Sequence, residues 1–221
     1  MAVELAARLR AETHTLHGQV ERSAFMAELL GGRLGKPAYA LMLRNLEPIY
    51  LQLEAGLLRH AANAHIRPVF QPALFRLQAL HRDLDTLHGE SWGEELELVN
   101  GCTAYVARLR QLIEFEPELL AAHAYVRYLG DLSGGQVLGQ IVARSLGLRG
   151  NEGGNWGTDF YDFGGADEVL RLSQAFRSGL AALTAEGIVA EARLAFEMHG
   201  RLFEDLANCC GLPKAPVRAP G

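Results

Sequence analysis

Apolar residues recur every three or four positions along almost the whole chain, which is the spacing of one face of an α-helix. Prolines at the starts of segments and glycines at their ends divide this pattern into helices. No run of alternating apolar and polar residues indicates a strand, and no repeat or domain boundary is visible. The predicted fold is an all-α, single-domain helical bundle. Its helices are predicted at about residues 3 to the upper twenties, 37–62, 68–89, 94–115, 117–148, 166–182 and 184–207.

Two segments fall outside the helical pattern. Residues 147–165 form a glycine- and aromatic-rich loop that is too long to be a mere connector. Residues 209–221 end in "GLPKAPVRAPG", a composition that predicts a disordered tail. The predicted domain therefore covers residues 1–208.

Composition and charge exclude several classes of protein. The 221 residues are 49% hydrophobic and 21% charged, as in a globular domain, and a net charge of −5 argues against a nucleic-acid partner. No apolar run reaches the ~20 residues of a membrane span, and the N-terminus lacks the core of a signal peptide. The cysteines (Cys102, Cys209 and Cys210) are too few and badly spaced for a disulfide framework. We therefore expect a cytoplasmic protein with no membrane partner.

Four glycines interrupt the predicted helix at residues 117–148, in the stretch "LGDLSGGQVLG" (129–139). Each glycine inside a helix lowers the stability of the helix by about 1 kcal/mol relative to alanine. Four of them in one helix therefore indicate a surface that is kept free of side chains for a reason. A phosphate loop is excluded because Gln136 and Val137, not Lys and Ser or Thr, follow Gly135. A dinucleotide-binding turn is excluded because the preceding segment is predicted to be helical rather than a strand.

Gly130 and Gly134 lie one turn apart on the same helix face, with Gly135 beside them. A close helix–helix crossing and the close approach of a ligand explain this spacing about equally well. Arg127 and Asp131 lie on or next to the bare face, where a helix crossing has no use for a charged pair. This pair favours a flat ligand with polar chemistry.

Arg10, His14, His17 and Glu21 form one stripe along the first helix, at spacings of four, three and four residues. A solvated polar face is the ordinary explanation of such a stripe. The functional alternative is a metal-ligating imidazole, whose second ring N–H is normally held by a carboxylate such as Glu21. Spacing alone does not decide between His14 and His17.

Other catalytic chemistries find little support. A di-iron bundle needs two Glu-x-x-His motifs on facing helices, and the chain offers only Asp85-x-x-His88. No motif supports a serine or cysteine nucleophile. His123 is predicted to be a packed histidine, whereas His199 could face either the core or a cavity.

The residues from about Leu9 to Leu206 resemble heme oxygenases of the soluble bacterial type. "AHAYVRYLGDLSGGQVLGQI" is similar to the distal-helix signature of that family, and "LRAETHTLHGQVERSAFMAELL" to its proximal helix. "FRSGLAAL" and "AFEMHGRLFEDL" resemble the last two helices. The resemblance implies a bundle in which heme lies between the first helix and a glycine-kinked distal helix. It also implies that His17, rather than His14, is the axial ligand of the heme iron.

The resemblance implies an enzyme for which heme is both cofactor and substrate. Heme would be cleaved with O2 and with electrons from a ferredoxin, a flavodoxin or a reductase. The expected site of cleavage is the α-meso carbon. The products would be biliverdin, carbon monoxide and ferrous iron. Two rival interpretations are a heme-binding protein without turnover and a related helical enzyme without heme, such as a thiaminase-like member.

Residue roles follow from the same resemblance. Asp131, with Arg127 and Tyr50, would anchor ordered water on the distal side of heme. Ser173 stands where the family often has a lysine, and His199 stands where some members have an asparagine. Ser173 weakens the expected propionate clamp, and His199 introduces a titratable group near the distal water. The other heme contacts implied are Arg10, Glu21, Tyr125, Gly130, Gly134, Gly135 and Arg177.

Overall fold

A computed structural model describes residues 5–148, 157–183 and 187–213. Within these ranges the chain is helical and contains no strand, which confirms the predicted all-α bundle. No helix in the described part of the chain is long and apolar enough to cross a membrane. The helices are α1 (Leu5–Glu21), α2 (Ala24–Leu30), α3 (Lys36–Arg59), α4 (Leu77–Leu87), α5 (Trp92–Glu95), α6 (Asn100–Phe115), α7 (Leu120–Ala124), α8 (Gly130–Ser145), α9 (Ala166–Ala181) and α10 (Ile188–Cys209).

Helix α10 is the centre of the bundle. It packs against α1, α2, α6 and α7, while α3 packs against α4 and α6. Large side chains fill the space between them, and Phe25, Tyr39, Tyr105 and Phe176 are completely buried. This packing places α1 and α10 close to the helix that carries the glycines.

The first predicted helix is in fact two helices, α1 and α2. The chain turns at Arg22 and Ser23, and the Ser23 hydroxyl accepts a hydrogen bond from the N–H of Met26 at 3.4 Å. Serine at this position caps the N-terminus of a new helix. The turn lets Phe25 and Leu29 enter the core. The apolar spacing therefore continues across the turn, and the sequence pattern predicts one helix where there are two.

Two other predicted helices begin later than expected. Pro68 and Pro72 form short 3-10 turns, and α4 begins only at Leu77. The buried carboxylate of Glu54 accepts hydrogen bonds from the N–H groups of Arg76 and Leu77, which start α4. Similarly, the helix predicted from residue 94 is divided into the short α5 and the long α6, which begins at Asn100.

The glycine-bearing helix runs continuously from α7 into α8 through a π-helical turn, Tyr125–Leu129. We call the whole segment Leu120–Ser145 the distal helix. π-Helical turns are rare, distort helices and occur often at functional sites. The irregularity therefore lies in the turn before Gly130, among residues that the sequence pattern treats as regular helix.

The described part of the predicted long loop packs against the distal helix. Its 3-10 turn, Asp159–Tyr161, is held by the buried Asp83 carboxylate, which accepts hydrogen bonds from the N–H groups of Asp159 and Phe160 at 2.8 Å each. Residues 149–156 of the loop lie outside the described ranges. The predicted tail begins at the last helical residue, Cys209, and residues 214–221 also lie outside them.

Asp83 and Glu54 are expected to make folding dependent on pH. Burial raises the pKa of each carboxyl to about 7, although hydrogen bonds from backbone N–H groups lower it. The folded protein thus binds these protons more tightly than the unfolded chain. The stability that they contribute is complete below about pH 4 and is lost as the pH rises through about 7.

Asp83→Asn and Glu54→Gln should each reduce the loss of stability between pH 4.5 and pH 8, since neither amide titrates in this range. Urea unfolding of the wild type and both variants across that range measures the slope. Equal slopes in all three proteins would show that these carboxyls keep the same protonation in the folded and unfolded states.

Candidate functional site

Two adjoining cavities lie between α1, the distal helix and α10. The inner one has a volume of about 410 Å³, and the one at the mouth about 470 Å³. Together they form a slot with α1 on one side and the distal helix on the other. Both cavities are lined by His17, Val126, Gly130, Ser133 and Phe196.

The four glycines of the distal helix serve two different purposes. A Cβ atom on Gly130 would meet no atom within 4 Å, and one on Gly134 would meet only Leu138, at 4.0 Å. These two glycines therefore face the open slot. Gly135 and Gly139 instead pack against Tyr161, where added Cβ atoms would lie 3.4 Å and 3.2 Å from it.

Gly135 was also predicted to contact the ligand, but the structure places it against Tyr161. Five residues beyond Gly130, the helix has turned Gly135 toward the chain at Tyr161. Gly135 is absent from the residues lining both cavities. The glycine pattern therefore combines open space at Gly130 and Gly134 with close packing at Gly135 and Gly139.

On α1, the structure separates the two candidate histidines. His17 lines both cavities, whereas His14 lines only the mouth. The His17 ring contacts Phe196 edge-on, with ring centroids 5.7 Å apart. Its Nδ1 lies 3.6 Å from Glu21 Oε2, too far for a direct hydrogen bond but in position for a shared water or a small rotation. His17 is therefore the histidine of α1 that borders both parts of the slot.

Across the slot, Arg127 is the centre of a buried polar network. Its Nε donates to the Tyr50 hydroxyl at 2.9 Å, its Nη1 contacts His199 Nε2 at 2.7 Å, and its Nη2 donates to Asp131 Oδ1 at 3.0 Å. The Tyr50 hydroxyl donates to Asp131 Oδ2. Arg127, Asp131 and His199 line the inner cavity. The network therefore presents a fixed polar patch to an otherwise apolar slot.

Burial and charge act against each other in this network. Burial raises the pKa of Asp131, while the Arg127 charge and the Tyr50 hydroxyl oppose that shift. Burial disfavours the charge of Arg127, yet the Asp131 and Tyr50 groups raise the pKa of Arg127 above its ordinary value. Each Asp131 oxygen accepts one of these hydrogen bonds and keeps a lone pair. The carboxylate can therefore accept further hydrogen bonds from the cavity.

His199 does not act as the titratable group that its position suggested. Arg127 keeps its protons, so His199 Nε2 must accept from it, and the ring proton lies on Nδ1, which donates to the Ala195 carbonyl at 2.9 Å. Burial, together with the Arg127 charge, lowers the pKa of His199 well below its ordinary value. The imidazole is thus neutral and fully hydrogen-bonded.

The mouth of the slot is basic. Arg10 and Arg177 line it, and Arg10 makes no hydrogen bond or ion pair with the residues described here. Arg177 Nε donates to the Ser173 hydroxyl at 3.3 Å. Tyr125 also lines the mouth, and its hydroxyl lies 3.4 Å from Thr13 Oγ1. The residues expected at the propionates are therefore together, and Ser173 supports Arg177 instead of supplying a charge.

Sequence reasoning missed much of the apolar lining. Phe160 and Tyr161 reach the inner cavity from the predicted loop, where the aromatic run "DFYDF" was the available signal. Residues of α2, α3 and α10 complete the wall. They resemble ordinary core residues in the sequence, and they are Met26, Leu29, Leu30, Met42, Leu46 and Phe203.

These features fit heme, which is flat, apolar in its ring and anionic at one edge. Gly130 and Gly134 leave open the space that Cβ atoms would narrow. His17 supplies an imidazole from the opposite wall, the commonest protein ligand of heme iron. Arg10 and Arg177 supply positive charge at the mouth, where carboxylates would reach them.

Comparison with known proteins agrees with this chemistry. The family model described as Heme oxygenase matches residues 3–205. Heme oxygenase 1 of Synechocystis sp. is 35% identical over 211 residues, which cover 93% of this chain and 86% of that protein. The crystal structure of heme oxygenase-1 from this cyanobacterium in complex with heme has a TM-score of 0.85 at 32% identity and covers 95% of this chain and 96% of that one. For heme oxygenase from Leptospira interrogans the TM-score is 0.82 at 35% identity, covering 91% and 98% of the two chains. The chain therefore belongs to the heme oxygenase family.

Proposed function

We propose that this protein binds heme in the slot through His17 and cleaves the ring at the α-meso carbon, with the Arg127–Tyr50–Asp131 network directing the reaction. Heme-degrading oxygenase activity follows from membership of the family. The observation that carries the residue assignment is the arrangement of the slot. An imidazole lies on one wall and an acceptor-rich carboxylate on the other, with two bare glycines beside it.

When bound, heme supplies the iron at which O2 is reduced and the carbon that is oxidised. His17 holds the group from the α1 side. Glu21 fixes the orientation of the His17 ring, directly or through water, because a hydrogen bond at Nδ1 selects the tautomer whose Nε2 lone pair is free. The edge contact with Phe196 limits rotation of the same ring.

On the distal side, Asp131 holds a water molecule with the lone pairs that Arg127 and Tyr50 leave free. Arg127 and Tyr50 fix the direction of the carboxylate. His199 Nε2 is occupied by Arg127 and Nδ1 by Ala195, so this imidazole offers no proton to the cavity. The network thus supplies ordered water without a distal acid.

A turnover assay separates this proposal from its rival, a heme-binding protein of the same fold. The pure protein loaded with ferric heme and supplied with O2 and a reductant should form biliverdin in an amount close to that of the heme lost. Stable heme under these conditions, with binding intact, would favour the rival.

Orientation of heme is expected to depend on the two arginines at the mouth. In Arg177→Ala, one propionate loses a charge-assisted hydrogen bond worth about 1.5–3 kcal/mol, so the ring should occupy more than one rotational position. Chromatography of the products should then show a mixture of biliverdin isomers. Arg171→Ala is the matched control, because Arg171 lies on the same helix but pairs with Glu168 outside the slot.

A single isomer from the wild type, Arg10→Ala and Arg177→Ala would contradict this prediction. The shape of the slot would then set the position of the ring. Arg10→Ala is informative because Arg10 has no partner among the described residues to compete with a propionate.

The electron donor is proposed to be an acidic ferredoxin, flavodoxin or reductase that docks at the mouth. The chain as a whole has a net charge of −5, but Arg10 and Arg177 make the mouth of the slot positively charged. This local charge attracts an acidic surface. Donor-dependent turnover measured at low and high salt tests the docking, since high salt should raise KM for the donor.

A cytoplasmic location is proposed from the three free cysteines, Cys102, Cys209 and Cys210.

A further inference from the structure

Three helices meet at the guanidinium group of Arg127. Tyr50 comes from α3, Asp131 from the same helix as Arg127, and His199 from α10. Each partner accepts a hydrogen bond from a different nitrogen atom. Tyr50 and Asp131 also bond to each other, whereas His199, among the described residues, is bonded to the network through Arg127 alone.

The His199 ring is itself rigidly held. Its Nδ1 donates to the Ala195 carbonyl at 2.9 Å. The ring also makes a T-shaped contact with the Tyr105 ring, with centroids 4.9 Å apart. The side chain is 2% exposed. The ring is therefore fixed with the lone pair of its Nε2 atom directed at Arg127 Nη1.

We propose that His199 is a positioning residue: as a fixed neutral acceptor on α10, it sets the orientation of Arg127 and thereby aims the Asp131 carboxylate into the slot. Without an acceptor at this point, Arg127 Nη1 would be a buried cationic donor with no partner. The guanidinium group would turn toward Asp131 or toward water in the slot, since buried charged donors do not stay unpaired. Either movement changes the lone pairs that Asp131 offers to the cavity.

The inference rests on the proposed role of Arg127 and Asp131, and it makes a chemical distinction that packing alone does not. His199→Gln places an amide oxygen near the position of Nε2 and keeps the acceptor. His199→Phe keeps a ring against Tyr105 but removes the acceptor, and His199→Leu is a smaller variant of the same kind. Tyr105→Phe is the control, because it removes the hydroxyl bonded to His123 Nδ1 and leaves the Arg127 contacts intact.

The first measurement uses the heme-free protein. Nitrogen-15 NMR should show His199 in the Nδ1–H tautomer, and the Arg127 Nε–H should exchange slowly with solvent. The slow exchange should persist in His199→Gln and Tyr105→Phe and be lost in His199→Phe and His199→Leu. Because this readout needs no turnover, it remains valid even if Asp131 proves not to direct the reaction.

The second measurement uses the heme complex. With heme bound, we expect His199→Phe to lower kcat for biliverdin formation about 10-fold, within the range for residues that orient a reacting group. His199→Gln should restore most of the rate. Wild-type exchange at Arg127 and wild-type kcat in both His199→Phe and His199→Leu would show that His199 only packs. Loss of both in folded His199→Gln, with thermal unfolding like the wild type, would equally overturn the proposal.

Discussion

Asp131→Ala is expected to bind heme but to lose at least about 100-fold in the rate of biliverdin formation, the scale of a lost group that holds a reacting proton. Asp131 holds the cavity water through the lone pairs left by Arg127 and Tyr50, and alanine offers none. Reductant should still be consumed. With hydrogen peroxide, oxidation of an added phenol should increase relative to ring cleavage, because the reaction is no longer directed at the ring.

This variant also loses the partner of a buried cation. Arg127 is 9% exposed, and removal of one member of a buried ion pair costs about 3–5 kcal/mol, so the free energy of unfolding should fall. Asp131→Asn keeps the size and one acceptor oxygen and should lie between the wild type and Asp131→Ala in rate. Asp167→Ala, at an exposed position of α9, is the control. Biliverdin formation by Asp131→Ala at the wild-type rate would show that Asp131 is structural.

His17→Ala is expected to keep part of the affinity for heme and to lose both turnover and the spectrum of a histidine-ligated iron. The apolar slot and the arginines at its mouth remain, but no other imidazole lines the inner cavity from α1. Added imidazole should partly restore the spectrum and the turnover. Stability without heme should change by no more than about 0.5 kcal/mol, because the side chain is about half exposed.

His14→Ala is the comparison that decides the ligand. His14 is exposed on the same helix and lines only the mouth. Loss of the histidine-ligated spectrum in His14→Ala, with a normal spectrum in His17→Ala, would reverse the assignment. Glu21→Ala should be milder than His17→Ala, with turnover about 10–100-fold lower than the wild type, as for other residues that orient a metal ligand.

The bundle itself was largely predictable from the sequence. Apolar periodicity depends on neighbours three and four residues away, so it located the helices that became α3, α9 and α10 within a few residues. It failed where a local hydrogen bond competed with the pattern. Ser23 capped a new helix inside an unbroken apolar stripe, and Glu54 delayed the start of α4 from another part of the chain.

The sequence pointed to the polar side chains that line the slot, but not to most of its apolar lining or to its geometry. The sequence by itself determined that glycines, a basic–acidic pair and a histidine stripe occur at helical spacings, because each depends on residues in one helix. Only the tertiary structure decided that His17 rather than His14 lines the inner cavity and that Gly135 faces Tyr161. The hydrogen-bonding state of His199 was likewise decided by packing, since its partner Arg127 lies 72 residues away in the chain. Contacts between distant residues depend on how whole helices pack, and local sequence patterns carry no record of that packing.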